Sequence, residues 1–297
     1  EASGRVIDEA VVDAGYGFAW ADDSASFIYM GVDDAWRACD AWLHRVGTPR
    51  EADELLPETA VREIREETGV AAHLGLRLPS VRYKVGKGPK AVHYWRSAVF
   101  SQRPRRPDHE VSAVKWFPVD KALEKVTYPD ERAVIEAAVA APPTNALLIV
   151  RHAKAMQRKH WSGDDRKRRL SGRGRGQAER LVDVLAAFGI ERLVSSASAR
   201  CKETLKPYAK TQKINIDTYD QLTEESAAKN PKAVRKLMAE LLKNLDRPTA
   251  VCGHRPVLPE MYAGLGVKDK PMVVSEVRAL HFGPDGLVTM ETFKPTA

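Results

Sequence analysis

Apolar and polar positions change their rhythm at about position 142 of this 297-residue chain. Before that point, short apolar runs between polar or glycine-rich segments predict strands at 10–20 ("AVVDAGYGFAW"), 26–31, 77–84, 91–100 ("AVHYWRSAVF") and 111–117 ("VSAVKWF"). Helical spacing appears at about 57–68 and 130–140, with Pro57 suited to a first turn and Gly69 to a helix end. On the first of these helices Ala60, Val61 and Ile64 face one way and Glu63, Glu66 and Glu67 the other. The stretch "AVAAPPTNA" at 138–146 ends the second helix at two prolines. Beyond it, apolar strands at 146–150, 192–196 and 249–252 alternate with helices at 174–188, 200–210 and 231–244. That alternation predicts βα units on a mostly parallel sheet. The expected division is two α/β domains, 1–141 and 142–297.

Composition narrows the class. With 43% hydrophobic and 29% charged residues the chain reads as an ordinary globular protein. Its longest strongly apolar run, "ALLIV" at 146–150, is far short of the roughly 18–20 residues that span a bilayer, so no membrane partner is expected. No charged-then-apolar leader opens the chain; its first residue is not Met, which leaves the true N-terminus open. Cys39, Cys201 and Cys252 are odd in number and scattered, against a disulfide scaffold or a CxxC metal site and in keeping with a cytoplasmic setting. A net charge of +7 favours anionic partners.

Three glutamates at i, i+3 and i+4 repel one another by roughly 0.2–0.5 kcal/mol per pair. They are either a solvated acidic face or a set of oxygen ligands for a hard cation, and spacing alone leaves both readings open. The order of residues adds information. "REIREETGV" at 62–70, with Glu54 eight positions before Arg62, matches G-x5-E-x7-R-E-U-x-E-E-x-G-U, where U is aliphatic. In this the chain resembles the Nudix hydrolases. The resemblance implies an α/β/α sandwich with a mixed sheet, and Mg²⁺ or Mn²⁺ held by Glu63, Glu66 and Glu67. It also implies that Glu54 supports the metal shell and that Arg62 orients a glutamate. Lys87 and Lys90 of "KVGKGPKAVHYW" would meet phosphate, and Glu110 would stand where many members carry a further acidic residue. The chain departs from the pattern at Thr48, which occupies the place of the first glycine; Gly47 is one position out of register. Either Arg45 and Arg50 repair that loop or the site is weakened.

The second half places basic residues directly after strands: Arg151 and His152, then Arg200, then His254. Ligands of open parallel sheets bind outside the carboxyl ends of the strands, so these four converge on one crevice, and like charges converging there call for an anion. "RHAK" at 151–154, "LSGRGRGQAERL" at 170–181, "SSASARCKET" at 195–204 and "AVCGHRPV" at 250–257 resemble the motifs of the histidine phosphatase superfamily, with Ala153 in place of glycine as in SixA-type phosphohistidine phosphatases. The resemblance implies His152 as the nucleophile, with Arg151, Arg200 and His254 holding phosphoryl oxygens. It gives Glu224 or Glu225 of "LTEES", Glu224 first, as the proton donor, and implies no metal in this domain. The basic stretch 157–176 could suggest nucleic acid, but no recognition helix or aromatic stacking platform accompanies it; it reads as a solvated loop that draws anions toward the pocket.

Together the two halves resemble MutT-like sanitising hydrolases. That implies a small-molecule nucleotide substrate, 8-oxo-(d)GTP or a dinucleoside polyphosphate, cut at the first site with Mg²⁺, and a phosphatase step at the second with Glu66 and His152 as the pivotal residues. The alternative is a phosphatase active only at its histidine, with the first domain a degenerate nucleotide-binding module. Nucleic acid is not an expected partner, and homo-oligomer formation stays open.

Overall fold

The computed structural model describes residues 57–85, 88–104, 106, 111 and 113–294, and the backbone of four earlier strands. Those are β1 (Ala14–Trp20), β2 (Ser26–Val32), β3 (Ala38–Arg45) and β4 (Glu54–Leu55), which form an antiparallel sheet in that order. There follow α1 (Pro57–Thr68), β5 (Val70–Arg77), β6 (Val81–Val85), β7 (Gly88–Val92), β8 (Trp95–Gln102), α2 (Val119–Lys125) and α3 (Pro129–Ala140). β5 pairs with β8 and β6 with β7, both antiparallel. Among the described residues, the mixed sheet expected for this half is represented by antiparallel pairs alone.

Several expected elements differ. The strand expected at 91–100 is two strands, β7 and β8, broken at His93 and Tyr94. The Ser80 hydroxyl and Arg77 Nη2 both meet His93 Nδ1, at 2.7 and 2.6 Å, which turns the chain out of the ladder there. The strand expected at 77–84 is split between the end of β5 and β6 at Pro79–Ser80. Residues 113–117 of the strand expected at 111–117 have no regular structure, and Trp116 and Phe117 are exposed. Alternation of apolar residues without a partner strand does not make a strand.

The second half comprises β9 (Ala146–Arg151), α4 (Gly172–Ala187), β10 (Arg192–Ser196), α5 (Ala199–Gln212), β11 (Ile216–Tyr219), α6 (Glu224–Lys229), α7 (Pro231–Lys243), β12 (Thr249–Gly253), α8 (Leu258–Gly264), β13 (Val277–Gly283) and β14 (Gly286–Phe293). Its six strands run β11-β10-β12-β9-β13-β14. The first four are mutually parallel, and the final hairpin adds to β9 antiparallel. β9 lies inside this sheet with helices on both faces, which explains its uninterrupted "LLIV": Leu147 and Ile149 pack with α7 and α8, Leu148 and Val150 with α4 and α5. All four are fully buried.

The two halves share one of these cores. Leu74 of β5 belongs to the cluster under α4 and α5, and Val61 of α1 and Trp95 of β8 pack against it. Arg77 Nη1 reaches Glu291 Oε1 of β14 at 3.1 Å, and the Trp95 indole N–H donates to the same carboxylate at 3.2 Å. The Glu58 carboxyl, in the first turn of α1, is pushed up to about 7 by burial, with Asp183 of α4 adding to the shift. Pro142 and Pro143 lie in the short connection from α3 to β9.

Candidate functional site: a basic pocket at the strand ends

The carboxyl ends of β9, β10 and β12 carry the pocket. The chain leaving β9 turns under backbone hydrogen bonds from Arg151 N to Glu276 O (3.0 Å) and from His152 N to Gly253 O (3.1 Å). Side chains from the other motifs then clamp the turn. Thr204 Oγ1 accepts from Ala153 N at 3.0 Å, and Gln177 Oε1 from Lys154 N at 2.9 Å. The Ser171 hydroxyl donates to Lys154 O at 3.0 Å and accepts from Gly174 N at 3.1 Å, capping α4. Gly174 is needed here because a Cβ would stand 2.0 Å from Lys154 O.

His152 is buried, and its Nδ1 lies 2.7 Å from Ala153 O. A carbonyl only accepts, so the proton sits on Nδ1 and Nε2 carries the free lone pair. Burial first, then the nearby His254 and Arg200 charges, lower its pKa to about 4, so the imidazole is neutral at pH 7. Its ring lies edge-on to His254, with centroids 5.2 Å apart.

His254 Nε2 meets Ser196 Oγ at 2.9 Å and the Cys201 sulfur at 3.4 Å. Its Nδ1 faces Glu224 Oε1 at 3.3 Å and Arg200 Nε at 3.2 Å. One nitrogen cannot donate to the carboxylate and accept from the guanidinium together. Although burial lowers the His254 pKa, Cys201 and Glu224 outweigh it and raise the value to about 9, so the imidazolium donates to Glu224. Glu224 is held well below the usual carboxylate range by the His254 hydrogen bond first and by Arg200.

Arg200, in the first turn of α5, is fully buried. Its Nη2 donates to Glu224 Oε1 at 2.8 Å, and its Nη1 donates to Asp165 O at 2.8 Å and pairs with the Asp165 carboxylate at 3.3 Å. Arg158 bridges Asp165 and Glu224 from outside, 3.3 Å from each. Arg151 Nη1 donates to Met272 O, while its buried Nε has no partner among the described residues. The pocket thus holds fixed N–H donors and one unprotonated imidazole nitrogen, an arrangement suited to a tetrahedral oxyanion.

Arg151, His152, Arg200, His254 and Glu224 therefore come together, and Glu225 is exposed. The sequence reading missed the positions that hold them: Ser196, Gln177 and Thr204 stood inside the quoted motifs without a role, and Asp165 and Arg158 were read only as part of a basic loop. His152, Glu224 and His254 place ligand atoms within 4.8 Å of one another.

The carboxylates of α1 stand apart from this pocket. Arg62 Nη2 donates to Glu63 Oε1 at 3.2 Å and its Nε lies 4.0 Å from Glu66 Oε1. Glu66 and Glu67 are exposed and Glu63 is half-buried. Among the described residues, Glu63, Glu66 and Glu67 do not bring three ligand atoms as close as the histidine cluster does. Hard oxygen donors with room for water fit a cation that takes one or two carboxylates at a time. The Glu54 and Lys90 side chains, Lys87, Glu110 and the Gly47 loop lie outside the described residues.

A buried pocket of histidines and arginines at parallel strand ends, together with an acidic helix in an antiparallel framework, marks a two-domain α/β protein. Residues 33–138 match the model of the NUDIX domain and residues 147–251 that of the histidine phosphatase superfamily (branch 1). The chain carries a NUDIX domain followed by a histidine phosphatase domain. It is 41% identical over 207 residues to the 8-oxo-(d)GTP phosphatase of Mycolicibacterium smegmatis (strain ATCC 700084 / mc(2)155), covering 69% of this chain and 64% of that one. The chain thus spans less than two thirds of that curated relative's length. The solved protein histidine phosphatase SixA, complexed with tungstate, is 19% identical with a TM-score of 0.42, covering 50% of this chain and 97% of its own. Mycobacterial glucosyl-3-phosphoglycerate phosphatase is 16% identical with a TM-score of 0.38, covering 52% and 100%.

Proposed function

We propose that this protein hydrolyses nucleotide phosphates: 8-oxo-(d)GTP or a dinucleoside polyphosphate is cut at α1, and phosphate is removed from the product at His152. The observation that carries this reading is the neutral His152 imidazole, Nε2 free, inside a ring of Arg151, Arg200 and His254 on the same chain as the acidic helix. The 8-oxo-(d)GTP phosphatase relative supports the substrate class.

In the proposed phosphatase step, Nε2 of His152 attacks phosphorus and the bond to the leaving oxygen breaks. Arg151, Arg200 and the His254 imidazolium hold the three non-transferring oxygens as charge develops. The leaving oxygen takes a proton from Glu224. In the free pocket Glu224 is ionised; the phosphate monoester binds as the monoanion, its charge raises the Glu224 pKa, and Glu224 takes the proton that the monoanion brings. Water then attacks the phosphohistidine, returns a proton to Glu224 and frees His152 and phosphate. At the first site Glu63, Glu66 and Glu67 would hold Mg²⁺ or Mn²⁺, which when bound neutralises polyphosphate charge. Arg62 keeps Glu63 and Glu66 oriented on one helix face. The division at 1–141 and 142–297 assigns one chemistry to each domain. The reduced, buried thiols of Cys201 and Cys252 support a cytoplasmic setting.

Product analysis on a nucleotide panel, with and without Mg²⁺, tests the reading. His152→Ala stops phosphate release from the nucleotide product by a factor of about 10³ or more, and Glu66→Gln stops the first cleavage while sparing that release. Turnover that survives Glu66→Gln and vanishes only with His152→Ala favours the phosphatase-only alternative. No turnover of any nucleotide rejects the proposal.

A further inference from the structure

The phosphoryl pocket does not account for a second concavity on the same domain. A cavity of about 750 Å³ runs between the outer face of α5 and the loop 161–169, beside the edge strand β11. Trp161, Ala197, Ala199 and Ile216 supply an apolar wall, and Arg166, Lys167, Arg169, Lys202 and Lys206 a basic one, against the acids Asp164 and Glu203. None of Arg151, His152, Glu224 or His254 lines it.

The basic residues are not equivalent. Arg166 pairs with Asp220, and Arg169 with Glu203 at 3.8 Å. Lys167, Lys202 and Lys206 are exposed, and with Arg166 and Arg169 they set five cations against the two acids, Asp164 and Glu203, so the cavity lining is net positive. Lys202 and Lys206 stand at i and i+4 on the exposed side of α5, with Glu203 between them in sequence. Trp161 is half-buried, and its indole N–H donates to Asp164 O at 3.1 Å, which fixes the ring in place.

We propose that this cavity is a nucleoside polyphosphate-binding site separate from the phosphoryl pocket, with the base on Trp161 and the phosphates on Lys167, Lys202 and Lys206. An amphipathic cavity wants a ligand with a flat apolar end and a polyanionic end, and its volume falls in the range of roughly 300–1,000 Å³ typical of small-molecule sites. Single-stranded nucleic acid would need successive stacking surfaces, and Trp161 is the one aromatic ring lining the cavity among the described residues. Inorganic polyphosphate would leave the apolar wall unused. The walls at 164–167 and 197–206 are also the segments that meet at the Arg200–Asp165 contact, so a nucleotide bound here touches both supports of the catalytic guanidinium. The assignment goes beyond the proposed hydrolysis and holds whether or not either active site turns over.

Hydrogen exchange on the full chain in EDTA, with a non-hydrolysable guanosine triphosphate analogue as probe, locates binding by segment. Exchange is expected to slow in 157–169 and 199–210, saturably, and to do so equally in His152→Ala. Trp161→Ala weakens that protection about tenfold, Trp161→Phe retains most of it, and Lys202→Glu/Lys206→Glu abolishes it. Thermal melting of each variant confirms that it folds, and Trp161→Phe keeps the test informative if the alanine variant does not. The proposal is overturned by an unchanged rate in those segments or by loss of protection in His152→Ala. Equal protection by inorganic triphosphate, or tighter protection by a single-stranded oligonucleotide, overturns it as well.

Discussion

At the scale of single residues, the pocket separates two histidines by environment. Burial, aided by His254 and Arg200, outweighs the opposing pull of Cys201 and of the Ala153 carbonyl and keeps His152 neutral down to about pH 4. His254 lies against Glu224 and Cys201, which hold its proton up to about pH 9. The pH dependence of kcat/KM for phosphate release is therefore expected to be a broad bell, with an acid limb near 4 as His152 loses its lone pair and an alkaline limb near 9 as His254 loses its proton. The alkaline limb should move down in Glu224→Gln, because the carboxylate that stabilises the imidazolium is gone. The same group contributes to folding: with a folded pKa above its unfolded value, its stabilisation is complete below about pH 6.5 and lost as pH rises through 9.

At the scale of elements, the contact between α1, β5 and α4 carries two opposed features. Gly189, just past α4, has φ +59, and a Cβ there would stand 2.2 Å from His73 Nδ1 of β5. Gly189→Ala is expected to cost about 1–2 kcal/mol for the left-handed backbone alone, and more because His73 must move. Chemical denaturation measures the loss, and faster proteolysis in the 141–145 connection would show that the contact has opened. Glu58 acts in the other direction. Its folded pKa of about 7 exceeds the unfolded 4.5, so stability is greatest below 4.5 and falls as pH rises from there to 7. Glu58→Gln should flatten that fall and raise the denaturation midpoint at pH 7.5. A midpoint unchanged from wild type at every pH would show that Glu58 is solvated in solution.

For the whole molecule, a core shared across the two domains makes one unfolding unit. Leu74, Val61 and Trp95 from the first domain pack against the cluster under α4 and α5. Thermal unfolding should be a single calorimetric transition, and Trp95→Ala, which also strips an indole N–H from buried Glu291, should reduce stability by about 2–3 kcal/mol, less than a fully buried aromatic because Trp95 is only partly buried. Two separated transitions in wild type would contradict the shared core.

Much of this was written in local pattern. The fully buried parallel strand β9 announces itself as "ALLIV", because a strand covered on both faces has no polar positions to spare. Arg151 ends β9, His152 and His254 directly follow β9 and β12, and Arg200 opens α5 just after β10, so the parallel strands bring their backbones to one edge. The helix α1, with Glu66 and Glu67 exposed on its outer face, follows from spacing and from Pro57 and Gly69. Sequence left open which of Glu224 and Glu225 faces the pocket, where the proton lies on each histidine, and what the loop at 157–176 does. Those depend on groups far apart in the chain: Glu224 is chosen by Arg200 and His254, His152 is neutral through burial, and Trp161 becomes a platform only when α5 is set opposite it. Periodicity reports each residue's own turn or strand, whereas charge state and cavity shape are set by whichever segments the fold brings within a few ångströms.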